Sequence, residues 1–138
     1  MDVPSWAAEK FLYSKLNGDA TLVAQGVTAV YVDDVPDGAP ARYVFITNLD
    51  AQDVSYVGHN IGWSTLLYAV RIVGAVNGYG ALTTAAARLH TLLHRSSGST
   101  DAGRALAVYR ERPFRMVERG ADRTIYHLGG IFRILVKD

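Results

Sequence analysis

The sequence predicts an α+β domain, a largely antiparallel β-sheet with helices packed on one face. Three observations carry this. Apolar residues recur at helical spacing in two separate stretches, Ala8 to Leu16 and Leu82 to Leu93. Elsewhere the chain alternates with a period of two, most clearly from Ser64 to Val76 and in the last fifteen or so residues. Helices and strands also fail to alternate one for one, as a parallel βαβ sheet would require. A chain of 138 residues suits a single domain, 1–138, with one core.

The first helix is marked by Pro4, tolerated in a first turn that needs no amide donor, and by Asp2 or Ser5 as capping acceptors. Ala8, Phe11, Leu12 and Leu16 form its buried stripe, and Asn17-Gly18 ends it. Asp19 then caps a short helical turn that stops at Gly26. Thr28–Val32 reads as a short strand, and Asp33–Pro40 as a loop whose prolines and glycine oppose pairing. Tyr43–Leu49 is rich in aromatic and β-branched residues and reads as a strand. Asp50–Gly62 is polar and is expected to be an irregular, protruding loop.

In the long strand Ser64–Val76, Leu66, Tyr68, Val70, Ile72 and Val76 share one face. Thr65, Leu67, Ala69, Arg71 and Val73 share the other, a more mixed surface open to a neighbour. Asn77–Gly80 breaks the strand, a helix runs to about His94, and Ser96–Thr100 is expected to be a flexible loop. Two strands close the chain: Arg104–Glu118, interrupted by Pro113, and Arg123–Val136, where Gly129-Gly130 permits a bend.

Charge and composition remove several function classes. Apolar residues make up 49% and charged residues 20%, so wholesale disorder is excluded. The formal net charge of +1 gives the molecule as a whole no pull toward nucleic acid or membrane. The charge is nevertheless split: eight basic and four acidic side chains from Arg104 onward, six basic and nine acidic before it. No cysteine is present, which removes disulfides, thiolate catalysis and cysteine-ligated zinc. The N-terminus lacks the basic and apolar regions of a secretory signal, and no apolar run approaches the roughly 20 residues of a spanning helix. A soluble product without membrane contact is expected.

The candidate chemistry is thin. Gly78-Tyr79-Gly80-Ala81-Leu82-Thr83 follows a strand and opens a helix like a phosphate-binding turn, but its third glycine is Thr83. His90 and His94 stand four apart on a helix, close enough to share a metal, yet Thr91 replaces the acid a metalloprotease motif needs. Gly62-Trp63-Ser64-Thr65-Leu66 lacks the closing glycine of a nucleophile elbow. The expectation is therefore no catalysis, no metal and no cofactor. Arg110, Arg112, Arg115 and Arg119 around the final hairpin suit non-specific phosphate contact.

Several segments together resemble the tail-terminator (tail-completion) family of long-tailed bacteriophages. They are Asp19-Ala20-Thr21-Leu22-Val23-Ala24 after a short helix, and the Tyr31 strand with its Pro36-to-Pro40 loop. The others are Tyr43-Val44-Phe45-Ile46, the Ala86–Leu93 helix, and the aromatic Tyr126–Ile134 strand. The resemblance spans nearly the whole chain but rests on order and spacing. It departs from the family pattern by a residue or two between Pro40 and Tyr43. It implies a structural virion protein, assembled in the host cytoplasm, that forms a hexameric ring on the tail tube. Such a ring stops tube polymerisation and meets the head connector, while DNA passes through its lumen without sequence-specific recognition. On that reading Tyr56, His59, Trp63 and Arg71 are expected at subunit or partner interfaces, and Arg110, Arg112, Arg115 and Arg119 at the lumen. The alternatives are another neck or tube component, or a small dimeric ligand-binding domain with Tyr68, Tyr126 and His127 around a pocket.

Overall fold

The computed structural model describes residues 4–55 and 61–137. Its elements are α1 (Pro4–Leu16), α2 (Ala20–Ala24), β1 (Val30–Val32), β2 (Arg42–Ser55) and β3 (Ile61–Gly74). A 3-10 turn (Tyr79–Leu82) leads into α3 (Thr83–Leu93), followed by β4 (Gly98–Thr100), β5 (Gly103–Arg119) and β6 (Thr124–Lys137). The strands form one sheet in the order β1-β2-β3-β6-β5-β4. Among the described strands β1 and β2 are paired in parallel and every other neighbouring pair is antiparallel. The α+β expectation holds.

Alternation along the strands decides the layers. Val44, Ile46, Leu66, Tyr68, Val70, Ile72, Phe132, Ile134 and Val136 all point to one face, where they pack with Ala8, Phe11, Leu12, Leu16, Leu22, Leu82, Leu89 and Leu93 from the helices. Tyr68 is fully buried there, and its hydroxyl is satisfied by donating to Glu9 on α1 at 2.7 Å. Burial raises the Glu9 carboxyl above its ordinary value, and the tyrosine hydrogen bond partly offsets that.

Three local expectations are corrected. Asp50–Ser55 is not loop but the second half of β2, paired through Asp53↔Ser64 and Val54↔Trp63. Its polarity reflects solvent rather than irregular backbone, because partner bonds from β3 do not depend on side-chain character. Gly98–Thr100 is a short edge strand, not a free loop. Pro113 does not interrupt β5, which runs unbroken with a register shift between Arg110 and Arg112. An edge position tolerates proline because no outer ladder bond is lost there.

Asp19 behaves as predicted. Its carboxylate accepts from the Leu22 amide at 3.1 Å and takes a two-pronged contact from Arg88 on α3 at 2.9 and 3.0 Å. One residue thereby caps α2 and ties it to α3. The Arg88 contact holds the Asp19 carboxyl below its ordinary value. Its contribution is therefore present above the usual aspartate range and lost as pH falls through the depressed value. Asp19→Ala is expected to cost ~1–2 kcal/mol, read as a lowered urea midpoint at neutral pH and a smaller difference near pH 2.

Candidate functional site

Among the described residues the other face of the sheet carries no helix. Its centre is a row of direct partners across four strands, Phe45 on β2, Arg71 on β3, Gly129 on β6 and Phe114 on β5. The Arg71 guanidinium lies 4.6 Å from the Phe45 ring centroid and 5.2 Å from that of Phe114. Both are cation–π distances, and the planar guanidinium suits stacking on either ring. Gly129 leaves the row without a side chain between Arg71 and Phe114. A Cβ there would stand 2.1 Å from the Val70 carbonyl oxygen and 2.6 Å from the Arg71 Cα. The glycine serves close approach, not the bend expected from sequence.

One step along the sheet, Arg71 Nε donates to His127 Nδ1 at 3.1 Å. That bond requires a lone pair on Nδ1, so the imidazole is neutral with its proton on Nε2. Nε2 stands 2.6 Å from a Glu118 carboxylate oxygen, but off the direction of a hydrogen bond. Arg71 is 8% exposed and His127 3%. Burial depresses the His127 value, with the Glu118 charge opposing; burial also lowers that of Arg71. The result is a stacked, hydrogen-bonded polar cluster on a sheet face that no helix covers.

Of the residues the sequence nominated, Tyr56 and His59 lie outside the described residues. Trp63 is half-buried within β3, opposite Val54, rather than at the tip of a loop. Arg71 is on the predicted mixed face, but its enclosure leaves little of it for a neighbour to touch. The register shift after Arg110 divides the four hairpin arginines. Arg110 turns toward α3, its backbone amide donating to His94 Nδ1 at 3.0 Å. Arg112 shares the helix-free face with Phe114, and Arg115 lies over Tyr79, 5.2 Å from its centroid. Arg112, Arg115 and Arg119 are exposed, so the group shares one strand without forming a single facial patch.

The other candidates do not converge. His90 and His94 stack at 4.8 Å between ring centroids, and His94 spends its Nδ1 on Arg110. Among the described residues no cluster of three or more histidine, aspartate or glutamate side chains is arranged to hold a metal. Tyr68 is in the core, whereas His127 is on the opposite face, so the pair cannot line one pocket with Tyr126. A cavity of about 380 Å³ lies under the 35–41 loop, lined by Pro36, Tyr43, Val73, Arg123 and Ile125 among others. It presents one cation, Arg123, one carboxylate, Asp37, and the Tyr43 hydroxyl. No helix among the described residues is long and apolar enough to cross a membrane.

Sequence reasoning found Arg71 from its place in an apolar alternation. It does not place Phe45 or Phe114 beside Arg71, offers His127 only as a residue of a ligand pocket, and reads Gly129 only as a bend. The signal was a lone arginine in mid-strand together with a glycine pair in another strand, but only the register joins them.

The fold and surface define a class first: a small α+β domain whose distinctive features are a sheet face and strand edges rather than a cleft. No protein-family profile matches the sequence, and no curated protein matches it. Among solved structures, the chain is similar to one from the virion of a native gene transfer agent particle. That likeness has a TM-score of 0.79 at 24% identity, covering 99% of this chain and 98% of the other. At that identity the likeness establishes the fold.

Proposed function

We propose that this chain is a structural subunit of a phage-like virion particle, and within it a tail terminator. The carrying observation is the end-to-end likeness to a gene transfer agent virion chain, with neither protein having a large unmatched part. Two features of the chain support it. Among the described residues no cluster of histidine, aspartate and glutamate side chains is arranged to hold a metal, and the helix-free sheet face carries two partly exposed aromatic rings, Phe45 and Phe114, of the kind interfaces use. The tail-terminator role, the hexameric ring and the tube and connector as partners come from the family resemblance in sequence.

In this reading the subunit carries two different contact patches, because a ring built head to tail requires them. Arg71 and His127 hold the aromatic face in shape. The exposed arginines of β5 supply a sequence-indifferent contact for passing DNA. The test is size-exclusion chromatography with light scattering, followed by electron microscopy. The expected species is a closed ring of six copies with a central hole, which binds one end of purified tail tubes. A dimer at every concentration, with no binding to tubes, would overturn the proposal.

A further inference from the structure

Beyond the short terminal strands β1 and β4, two long stretches of strand edge have no strand partner among the described residues. β1 covers β2 only at Val44–Ile46, leaving the outer side of 47–55 open. β4 covers β5 only at Gly103–Ala105. The 95–96 segment and His94 then take the outward groups of Val108 and Arg110, leaving 111–119 open. Unpaired edges are templates for another strand, and proteins usually blunt them with charge, proline or a bulge. Pro113 and the register shift beside it do so at the start of the second edge. Phe114–Arg119 remains extended and mostly exposed.

The two edges are opposite in charge. Residues 47–55 include Asp50 and Asp53 and no basic side chain. Residues 111–119 carry Arg112, Arg115 and Arg119 against Glu111 and Glu118, and Glu111 is already engaged by Arg133. Each edge also shows solvent a large apolar side chain, Leu49 on β2 and Met116 on β5.

We propose that the occupant of each edge is a second copy of this chain. The 47–55 edge of one subunit pairs antiparallel with the Phe114–Arg119 edge of the next, so the sheet continues from copy to copy. The direction follows from the topology: β2 and β5 run oppositely within the sheet, and copies standing side by side keep that relation. The contact joins two different patches, which is the kind a ring or filament needs. It is an example of strand addition, in which main-chain bonds give affinity and side chains choose the partner. The proposal rests on the ring reading above and names the surfaces that reading requires.

The test uses two full-length variants, Asp50→Lys/Asp53→Lys and Arg112→Glu/Arg115→Glu/Arg119→Glu. Each alone places like charges at every contact and is expected to need at least about tenfold more protein to assemble. Mixed in equal amounts they alternate, every contact is again complementary, and assembly is expected to return. A second measurement uses the absence of native cysteine: Ala51→Cys/Val117→Cys in one chain, two positions on the same, helix-bearing face, should oxidise to a ladder of linked copies, and either substitution alone to dimers at most. Unchanged assembly of the charge variants, no recovery on mixing, or no ladder would overturn edge pairing while leaving a ring in place. A wild-type chain that never assembles would overturn both.

Discussion

Gly129→Ala is expected to destabilise the fold by at least about 3 kcal/mol, because its added methyl meets backbone more closely than at Gly130 or Gly80. The new Cβ would meet backbone, the Val70 carbonyl at 2.1 Å and the Arg71 Cα at 2.6 Å, in the middle of the β3–β6 ladder. Neither can move without opening the sheet. Gly130→Ala should cost less, because there the nearest atom, at 2.9 Å, is the Nε of Arg110, the far end of a flexible side chain. Gly80, with nothing within 4 Å of its Cβ position, is the control and should change stability by no more than about 0.5 kcal/mol on conversion to alanine. Urea denaturation of the three variants tests the ranking. A Gly129→Ala midpoint equal to that of Gly80→Ala would show that the two strands are not as closely apposed as described.

Arg71→Ala should cost ~2–4 kcal/mol, because it removes the packing between Phe45 and Phe114 and leaves His127 Nδ1 buried without a donor. Arg71→Lys keeps the charge but loses the flat guanidinium and its Nε–H, and should recover less than half of the loss. The cluster also predicts a pH dependence. His127 is held below its ordinary value of 6.5. Its contribution is present above that value and lost as pH falls through the depressed one. Protonation would set an N–H at Nδ1 against the Arg71 donor. Wild-type stability should therefore decline between pH 7 and 5, and His127→Gln should flatten that decline. An equal slope in both proteins would remove His127 as its source.

The layers were legible because they depend on period. The Leu66–Ile72 alternation and the Leu82–Leu93 stripe each pointed to one buried face, and the core is built from them. Asp19 was legible because a cap acts within three residues. Asp50–Ser55 was not, since a polar strand at an edge takes its regularity from its partner and leaves little mark on its own composition. The Phe45–Arg71–Gly129–Phe114 row was illegible for a related reason. Its members come from four strands, and a shift of one residue in any pairing would send that member to the other face.

One partner row, Thr47–Ala69–Ile131–Arg112, crosses the sheet. The open half of β2 lies on one side of it and the open half of β5 on the other. Copies that pair through those halves must slide past each other by about eight residues, roughly 27 Å, while advancing across four strand spacings, roughly 19 Å. A slide that large becomes axial rise if the strands stand upright, and repeated rise winds into a spiral filament instead of closing. Closure with no rise requires strands lying more than about 45° from the ring axis, steeper than is usual in small closed barrels. The subunits of such a ring would lean around its circumference, and that lean would separate a cap from a fibre.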